Sequence, residues 1–295
     1  MSKAADSKHN KVLIFSTGAK GGVGKSTMAI LLVEALREAG AKVAGIEGDD
    51  HSPTLVNKYG NGGLHVAQVD LAGIVDRSGL VAFSDALGQL EEDWIVVNTP
   101  ASGARVFDEQ PEILAAFGYE VRAAWSLSIN ADRTEGGFEN DGLFTSIDRG
   151  ALSSVAAGYR VAVKQPFQLA YRGQKCWYDG LGEMFESMTV RTMTVGKMHP
   201  LLVEKLHRDS RSIPEIITDL NATNPLVGAS LHLFWRDAKE EMGRSILSDV
   251  TLTPTVGLER TTGKLFGPDG ILTRAAGNAP EAGSPEGNAT EDGVE

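Results

Sequence analysis

Short apolar runs alternate along the chain with longer stretches in which apolar residues recur three and four positions apart. The short runs, rich in β-branched residues, predict strands at residues 11–17, 42–46, 94–97, 121–127, 159–163 and 190–195, the last at a sheet edge. The periodic stretches predict helices at residues 25–39, 78–90, 111–117, 199–208, 213–220 and 226–246. Strands separated by helices indicate an α/β fold, with a mostly parallel twisted sheet covered by helices on both faces.

The length of 295 residues allows one large domain or two small ones, and 42% apolar residues can form a sizeable core. No convincing linker precedes Gly277, so we expect a single domain over residues 11–276. Residues 1–10 are polar, and residues 277–295 are rich in Pro, Gly and acidic residues. Such segments bury too little apolar surface to order themselves, so we expect a disordered N-terminus and a disordered acidic tail.

The formal net charge of −11 argues against nonspecific nucleic-acid binding by the whole surface, although it leaves room for a local basic patch. Cys176 is the single cysteine, which excludes an intrachain disulfide and a multi-cysteine metal site within one chain. Neither a membrane-spanning apolar run nor a secretion signal is visible. We therefore expect a cytoplasmic protein with no membrane partner.

The stretch GAKGGVGKST, residues 18–27, joins the first predicted strand to the first predicted helix. Glycines let successive backbone N–H groups converge on one phosphate, and a helix N-terminus adds partial positive charge. Lys25 would reach the β- and γ-phosphates of a nucleotide, the Ser26 hydroxyl would bind Mg²⁺, and Thr27 would help to hold the α-phosphate. The predicted nucleotide-binding residues in this loop are Gly21, Gly22, Val23, Gly24, Lys25, Ser26 and Thr27.

The loop departs from the common P-loop pattern, because position 19 is Ala19 and Lys20 precedes the glycines. The pattern K-G-G-x-G-K-[ST] resembles the deviant Walker A motif of the ParA/MinD group of P-loop ATPases, of the SIMIBI class. The resemblance implies a Rossmann-like P-loop NTPase fold and a homodimer that forms on ATP binding. It also implies that Lys25 serves its own subunit, whereas Lys20 crosses the dimer interface to the phosphates of the partner's nucleotide.

The second predicted strand runs into GIEGDD, where the family carries D-x-D. This alignment puts Glu47 at the first acidic position and Asp49 at the second. The resemblance implies that Glu47 acts near Mg²⁺ and the attacking water, and that Asp49 helps to position that water or the switch loop. Asp50 is the alternative if the register slips by one residue.

The third predicted strand ends in VVNTP, so Asn98 stands where the Walker B motif of the family carries Asp. Ser26, Glu47 and Asn98 are thus the candidate metal-site residues. A neutral amide is a weaker acceptor for the Mg²⁺ shell than a carboxylate, so ATP binding is better supported than ATP hydrolysis. Thr99 and Pro100 fit the switch II loop of the family.

Base recognition and DNA contact carry weaker signals. No guanine-reading N-K-x-D motif occurs in the appropriate place, which favours ATP over GTP, and Gln165 after a late strand is a candidate adenine contact. Tyr171, Trp177 and Tyr178 lie among basic residues, a pattern that stacks bases in some proteins but is more often a half-buried face. A second basic cluster makes nonspecific DNA binding a hypothesis; it consists of Arg191, Lys197, Lys205, Arg208 and Arg211.

The resemblance implies an ATPase that switches its interaction with a cargo or adaptor protein when ATP is hydrolysed. Such proteins position plasmids, chromosomes or protein cargo, and related ones accompany plasmid conjugation. One alternative is a nucleotide-binding scaffold with little hydrolysis, which Asn98 motivates. Another is a small-molecule ligase or kinase on the same fold, which requires a substrate pocket beside the γ-phosphate instead of a second subunit.

Overall fold

The computed structural model describes residues 11–71, 78–101, 107–108, 112–128, 142–165 and 178–255. In these residues seven strands form one parallel sheet with the order β3-β2-β4-β1-β5-β6-β7. The predicted terminal disorder and the aromatic and basic segment around Cys176 lie largely outside the described residues. The strands are β1 Val12–Thr17, β2 Val43–Glu47, β3 His65–Gln68, β4 Trp94–Asn98, β5 Glu120–Ser126, β6 Arg160–Lys164 and β7 Arg191–Thr194.

The helices cover both faces of this sheet, which confirms the predicted α/β fold with a parallel sheet. Two short 3₁₀ turns, Ala151–Ser154 and Ala157–Tyr159, precede β6. The α-helices are α1 Lys25–Glu38, α2 Thr54–Tyr59, α3 Ser78–Gln89, α4 Glu112–Ala116, α5 Leu143–Arg149, α6 Gly182–Ser187, α7 Pro200–Arg208, α8 Ile213–Thr223 and α9 Pro225–Arg244.

Two hydrophobic clusters lie on opposite faces of the sheet, because successive side chains of a strand point to opposite sides. Ile14 of β1 belongs to the cluster with α1, α2, α7, α8 and α9. Its neighbours Leu13 and Phe15 belong to the cluster with α3, α4, α5 and α6. Phe15 packs edge-on against Phe107 with ring centroids 4.9 Å apart. The central strand β1 is therefore buried on both sides, and its carboxyl end is held rigidly.

Helix α1 is buried around almost its whole circumference, not along one stripe as the apolar spacing predicts. Every residue from Thr27 to Leu36 is buried. The cause is its position between the sheet and the layer formed by α7, α8 and α9, which share its hydrophobic cluster. Glu34 is tolerated there because its carboxylate accepts hydrogen bonds from the Tyr59 hydroxyl and from the backbone N–H of Ile213.

The apolar pattern misses several short elements: β3, α2, α5 and α6. Strand β3 is an edge strand that pairs only with β2, and its residues are exposed or half-buried. An edge strand of this kind needs no alternating apolar run, so sequence periodicity cannot detect it. The predicted edge strand near residue 190 is observed as β7, which pairs only with β6.

Candidate functional site

Three strand ends meet at the carboxyl edge of the sheet. Strand β4 lies between β1 and β2, with Ser16 opposite Asn98 in one pairing and Glu47 opposite Asn98 in the other. The loop of residues 18–24 leaves β1 at this edge and leads into α1. Ligands of open α/β sheets bind outside the carboxyl ends of the strands, where the strand order reverses. The candidate site lies at such a point.

Glycines shape the loop before α1. Gly22 and Gly24 have φ values of 71° and 93°, in the left-handed region that favours glycine. Gly24 is the N-cap of α1, and its carbonyl accepts a hydrogen bond from the Met28 amide at 2.9 Å. The first amides of a helix have no partner within the helix, and the helix dipole adds partial positive charge there. The start of α1 can therefore bind an anion.

Lys25 is the first residue of α1, and its side chain folds back over the loop. The Nζ amine donates a hydrogen bond to the Lys20 carbonyl at 2.7 Å. Burial lowers the pKa of Lys25 to about 8, against the opposing charge of Asp49. In the part of the chain that the structure describes, no carboxylate lies within ion-pair distance of this amine. A phosphate group would supply the missing counter-ion.

Lys20 is half-buried at the start of the loop, beside the exposed Gly21 and Gly22. Among the described residues, its amine forms neither a hydrogen bond nor an ion pair. The amine is thus left without a partner among the residues that the structure describes. Its predicted contact with a second subunit remains a prediction.

Glu47, the last residue of β2, is fully buried. Oε1 accepts hydrogen bonds from the Asp49 amide at 3.0 Å and from Asn98 Nδ2 at 2.8 Å, and Oε2 accepts one from the Leu55 amide at 2.8 Å. Burial raises the pKa of Glu47 to about 7, although the three hydrogen bonds lower it. Asp50 is exposed, so the structure brings Glu47 and not Asp50 to the end of β4.

Asp49 orders the loop that follows β2. Its Oδ1 accepts hydrogen bonds from the amides of His51 and Ser52, each at 3.1 Å. The carboxylate thereby forms a local turn that leads into α2. Its predicted role toward an attacking water remains a prediction.

The three candidate metal-site residues are brought together. Asn98 Nδ2 donates to Ser26 Oγ at 3.3 Å as well as to Glu47 Oε1. Asn98 Oδ1 is buried and, among the described residues, has no hydrogen-bond partner. Hydroxyl, amide and carboxylate oxygens are ligands that Mg²⁺ takes, directly or through water. The residues fit such an ion, with the charge of one carboxylate at the sheet edge.

Two further polar residues brace the loop. Thr99 Oγ1 donates to the Ser16 carbonyl at 3.2 Å, which ties β4 to β1. Gln165 is buried, and its Nε2 donates to the Gly24 carbonyl at 3.3 Å and to Ser126 Oγ at 3.0 Å. A Cβ on Gly24 would lie 1.7 Å from Gln165 Oε1. Gln165 thus supports the loop, and its predicted adenine contact remains a prediction.

His207 is a site residue that the sequence patterns do not indicate. Its Nε2 lies 2.9 Å from Thr27 Oγ1, although the two residues are 180 positions apart. His207 lies on α7, whose buried residues are Leu202 and Leu206. No local motif could have placed an imidazole against the P-loop helix.

The late basic cluster is largely paired with acidic residues. Arg208 pairs with Glu204, and both Lys205 and Arg211 pair with Asp209, at N–O distances of 2.7 to 3.2 Å. These pairs reduce the positive charge available to a nucleic acid. DNA binding therefore remains a prediction. No helix of the described ranges has both the length and the apolar character needed to cross a bilayer.

Fold and loop together define a P-loop nucleotide-binding protein. The family of CobQ/CobB/MinD/ParA nucleotide-binding domains matches residues 14–247. The chain belongs to this family. No curated protein matches the chain.

Three solved structures with some similarity are each 18% identical to this chain. The nucleotide-binding protein of Archaeoglobus fulgidus in complex with ADP covers 68% of this chain and 88% of its own length, with a TM-score of 0.42. The match to the MinC:MinD cell division complex of Aquifex aeolicus covers 80% of this chain and 97% of the matched chain, with a TM-score of 0.45. The match to FlhF complexed with GMPPNP/Mg²⁺ covers 68% of this chain and 75% of the matched chain, with a TM-score of 0.36.

Proposed function

We propose that this protein binds ATP with Mg²⁺ at the carboxyl edge of the sheet and hydrolyses it slowly. The observation that carries this proposal is the placement of Lys25, Ser26 and Thr27. All three lie in the first turn of α1, after a loop in which Gly22 and Gly24 adopt left-handed conformations. The buried Lys25 amine lacks an anion among the described residues, and a nucleotide phosphate fits that need.

The binding step is tested by titration with a fluorescent ATP analogue. Lys25→Ala should weaken binding about 100-fold, because a buried, charge-assisted hydrogen bond to phosphate is lost. Lys42→Ala is the control, since Lys42 is exposed at the opposite end of the sheet. Equal affinity of wild type and Lys25→Ala would exclude this loop as the nucleotide site.

We further propose that ATP joins two copies of the chain, with Lys20 reaching the nucleotide of the partner. Lys20 supports this arrangement, because its amine has no hydrogen bond or ion pair among the described residues and the glycines that follow it are exposed. Lys20→Ala should keep ATP binding but lose the ATP-dependent dimer in sedimentation. A dimer that survives this substitution would contradict the arrangement.

The biological role that follows is a nucleotide-dependent switch that positions or partitions plasmid DNA, a chromosome or protein cargo. Membership of the ParA and MinD family supports this role. ATP would favour the dimer, and hydrolysis would release the partner protein. Light scattering with and without ATP and Mg²⁺, then with DNA added, separates self-association from DNA binding.

A second candidate function is a nucleotide-binding scaffold with very little turnover. It is favoured by Asn98, whose neutral amide lies beside Ser26 and leaves Glu47 as the buried carboxylate at the site. Single-turnover hydrolysis by wild type, Asn98→Asp and Lys25→Ala distinguishes the two functions. A wild-type rate equal to that of Lys25→Ala would favour the scaffold and refute the ATPase.

A further inference from the structure

The Thr27 hydroxyl faces a group that no nucleotide motif requires. Thr27 is buried in the first turn of α1, and its Oγ1 lies 2.9 Å from Nε2 of His207 on α7. We propose that His207 is a positioning residue that aims the Thr27 hydroxyl proton at the α-phosphate of a bound nucleotide. This inference rests on the proposed nucleotide binding.

The number of protons between Thr27 and His207 decides what the Thr27 hydroxyl can donate. A threonine hydroxyl has one proton to donate and lone pairs to accept with. If His207 Nε2 carries a proton and donates it, the Thr27 proton stays available for a phosphate oxygen. If Nε2 instead accepts, the Thr27 proton is used up, and only lone pairs face the anionic phosphate. The proposal therefore requires the tautomer with the proton on Nε2 of His207.

The surroundings of His207 favour a neutral ring. Burial and the charge of Lys58 both lower its pKa, so one ring nitrogen is protonated at neutral pH and the other is not. The tautomer then decides which partner donates in the contact with Thr27. A hydrogen bond that Thr27 accepts also strengthens the one it donates, because hydrogen bonds in a chain polarise one another.

The position of the ring is fixed from two sides. Leu202 and Leu206 of α7 are buried in the same hydrophobic cluster as α1. The fully buried Lys58 of α2 donates to the carbonyls of Asp209 and Arg211, just beyond the end of α7, at 2.7 and 3.0 Å. These contacts hold the end of α7 against α2. His207 thus meets Thr27 from a rigid support.

The first test compares two substitutions of His207 by ADP titration calorimetry with Mg²⁺ present. His207→Gln can place an amide N–H near the position of Nε2, whereas His207→Leu keeps volume but offers no hydrogen bond. His207→Leu should weaken ADP binding about tenfold, because a Thr27 hydroxyl that accepts no hydrogen bond can turn its proton to a backbone carbonyl of the preceding turn instead of the phosphate. His207→Gln should stay within about twofold of wild type. Equal affinities of His207→Leu and wild type would overturn the proposal.

A mutant cycle separates positioning from general destabilisation. Thr27→Val should weaken ADP binding to the same extent as His207→Leu, and the double variant should be no weaker than Thr27→Val alone. Fully additive losses would overturn the proposal. His199→Ala is the control, because His199 caps the start of the same helix α7 by accepting a hydrogen bond from the Leu201 amide. It should loosen α7 slightly and leave ADP affinity unchanged.

The tautomer gives a readout that a purely structural role would not produce. In the ADP complex, ¹⁵N NMR of the His207 ring should show a protonated Nε2 and an unprotonated Nδ1. The opposite tautomer would overturn the inference while leaving nucleotide binding intact. Wild-type protein that binds no ADP, or that binds it no better than Lys25→Ala, would overturn the proposed function together with this inference.

Discussion

The sheet buries one charged side chain near each of its two ends, and the surroundings of the two differ. Arg122, near the amino end of β5, is buried among acidic side chains. Glu47, at the carboxyl end of β2, is equally buried but has no cation within ion-pair distance among the described residues. One end of the sheet neutralises its charge, and the other end does not.

Arg122 has partners on every side of its guanidinium group. Nη1 and Nη2 donate to the two oxygens of Asp249, each at 2.6 Å, and Nε donates to Glu120 at 2.8 Å. The group also lies 3.9 Å from the ring centroid of Tyr159. Burial lowers the pKa of Arg122, but these hydrogen bonds and charges outweigh it and raise the pKa. Arg122 therefore links β5 to the chain beyond α9 as a structural element.

Glu47 accepts three hydrogen bonds, yet burial still raises its pKa to about 7. A buried charge without a counter-ion is costly, and such groups concentrate at functional sites. This contrast supports the proposed Mg²⁺ site, because a bound cation would compensate the charge that the carboxyl end of the sheet leaves without a partner. Arg122 is compensated within the chain, as a structural charge should be, whereas the proposed functional charge of Glu47 is not.

The largest effect is expected when a second carboxylate is placed at this end. Asn98→Asp would set two carboxylates about 3 Å apart and remove the Nδ2 donor to Glu47. Without metal at pH 8, we expect a loss of about 4 kcal/mol in unfolding free energy and a melting temperature lower by about 10 °C. Adding Mg²⁺ should restore more than half of this loss, as calorimetric melting would show.

The control adds the same charge to the neighbouring strand. Gln68 lies opposite Glu47 in the pairing of β2 with β3 but is exposed, so Gln68→Glu should change stability by less than about 0.5 kcal/mol. The contrary outcome is that Asn98→Asp and Gln68→Glu melt at the same temperature, with or without Mg²⁺. The carboxyl end of the sheet would then tolerate an added negative charge without a cation, which would contradict the contrast with Arg122.

The sequence predicts the phosphate side of the site better than the metal side. The loop from Lys20 to Thr27 would hold a phosphate through its backbone geometry, and its glycine spacing is visible in the chain itself. The strands of the sheet follow from apolar runs in the same way, except for the short edge strand β3. Backbone-encoded features leave local patterns, and these patterns survive in a single sequence.

Local patterns do not predict the network around Glu47 and Thr27, because it depends on contacts between distant segments. Only the family resemblance groups Glu47 with Ser26 and Asn98. The register that puts Glu47 beside Asn98 requires β4 to lie between β1 and β2, an order that no local pattern specifies. The partner of Thr27, His207, belongs to a helix 180 positions further along the chain. Long-range pairing decides these contacts, and a single sequence does not record it.

The next effect concerns the pH dependence of stability without nucleotide. The pKa of Glu47 rises from 4.5 to about 7 on folding, so folding favours its neutral form. The resulting contribution to stability is fully present below pH 4.5 and is lost as the pH rises through 7. At 1.36 kcal/mol per pKa unit, wild type should lose about 3 kcal/mol relative to Glu47→Gln across this window.

Urea denaturation of both proteins at pH 4.5, 6, 7 and 8, with EDTA present, gives this difference directly. The comparison cancels other titrating groups, and a constant offset from the lost hydrogen bonds of Glu47→Gln does not alter the slope. Parallel stability curves for the two proteins would show that Glu47 is charged at little cost, like Arg122.

The smallest effect tests the compensated end of the sheet. The Asp249 side chain is 47% exposed, and a surface carboxylate of this kind contributes little by itself. Asp249→Ala should nevertheless cost about 2 kcal/mol, because it leaves the buried guanidinium of Arg122 with Glu120 as its remaining acidic partner. Asp237, 55% exposed and paired with Arg236, is the matched control, and Asp237→Ala should cost less than about 0.5 kcal/mol.

Replacing Arg122 itself distinguishes compensation of charge from simple contact. In an Arg122→Met background the apolar side chain needs no anion, so Asp249→Ala should then cost less than about 0.5 kcal/mol in urea denaturation. If Asp249→Ala costs the same in both backgrounds, Asp249 acts through packing or its local turn. Charge pairing with Asp249 would then not stabilise the buried Arg122. The lack of a counter-ion at Glu47 would no longer distinguish a functional charge from a structural one.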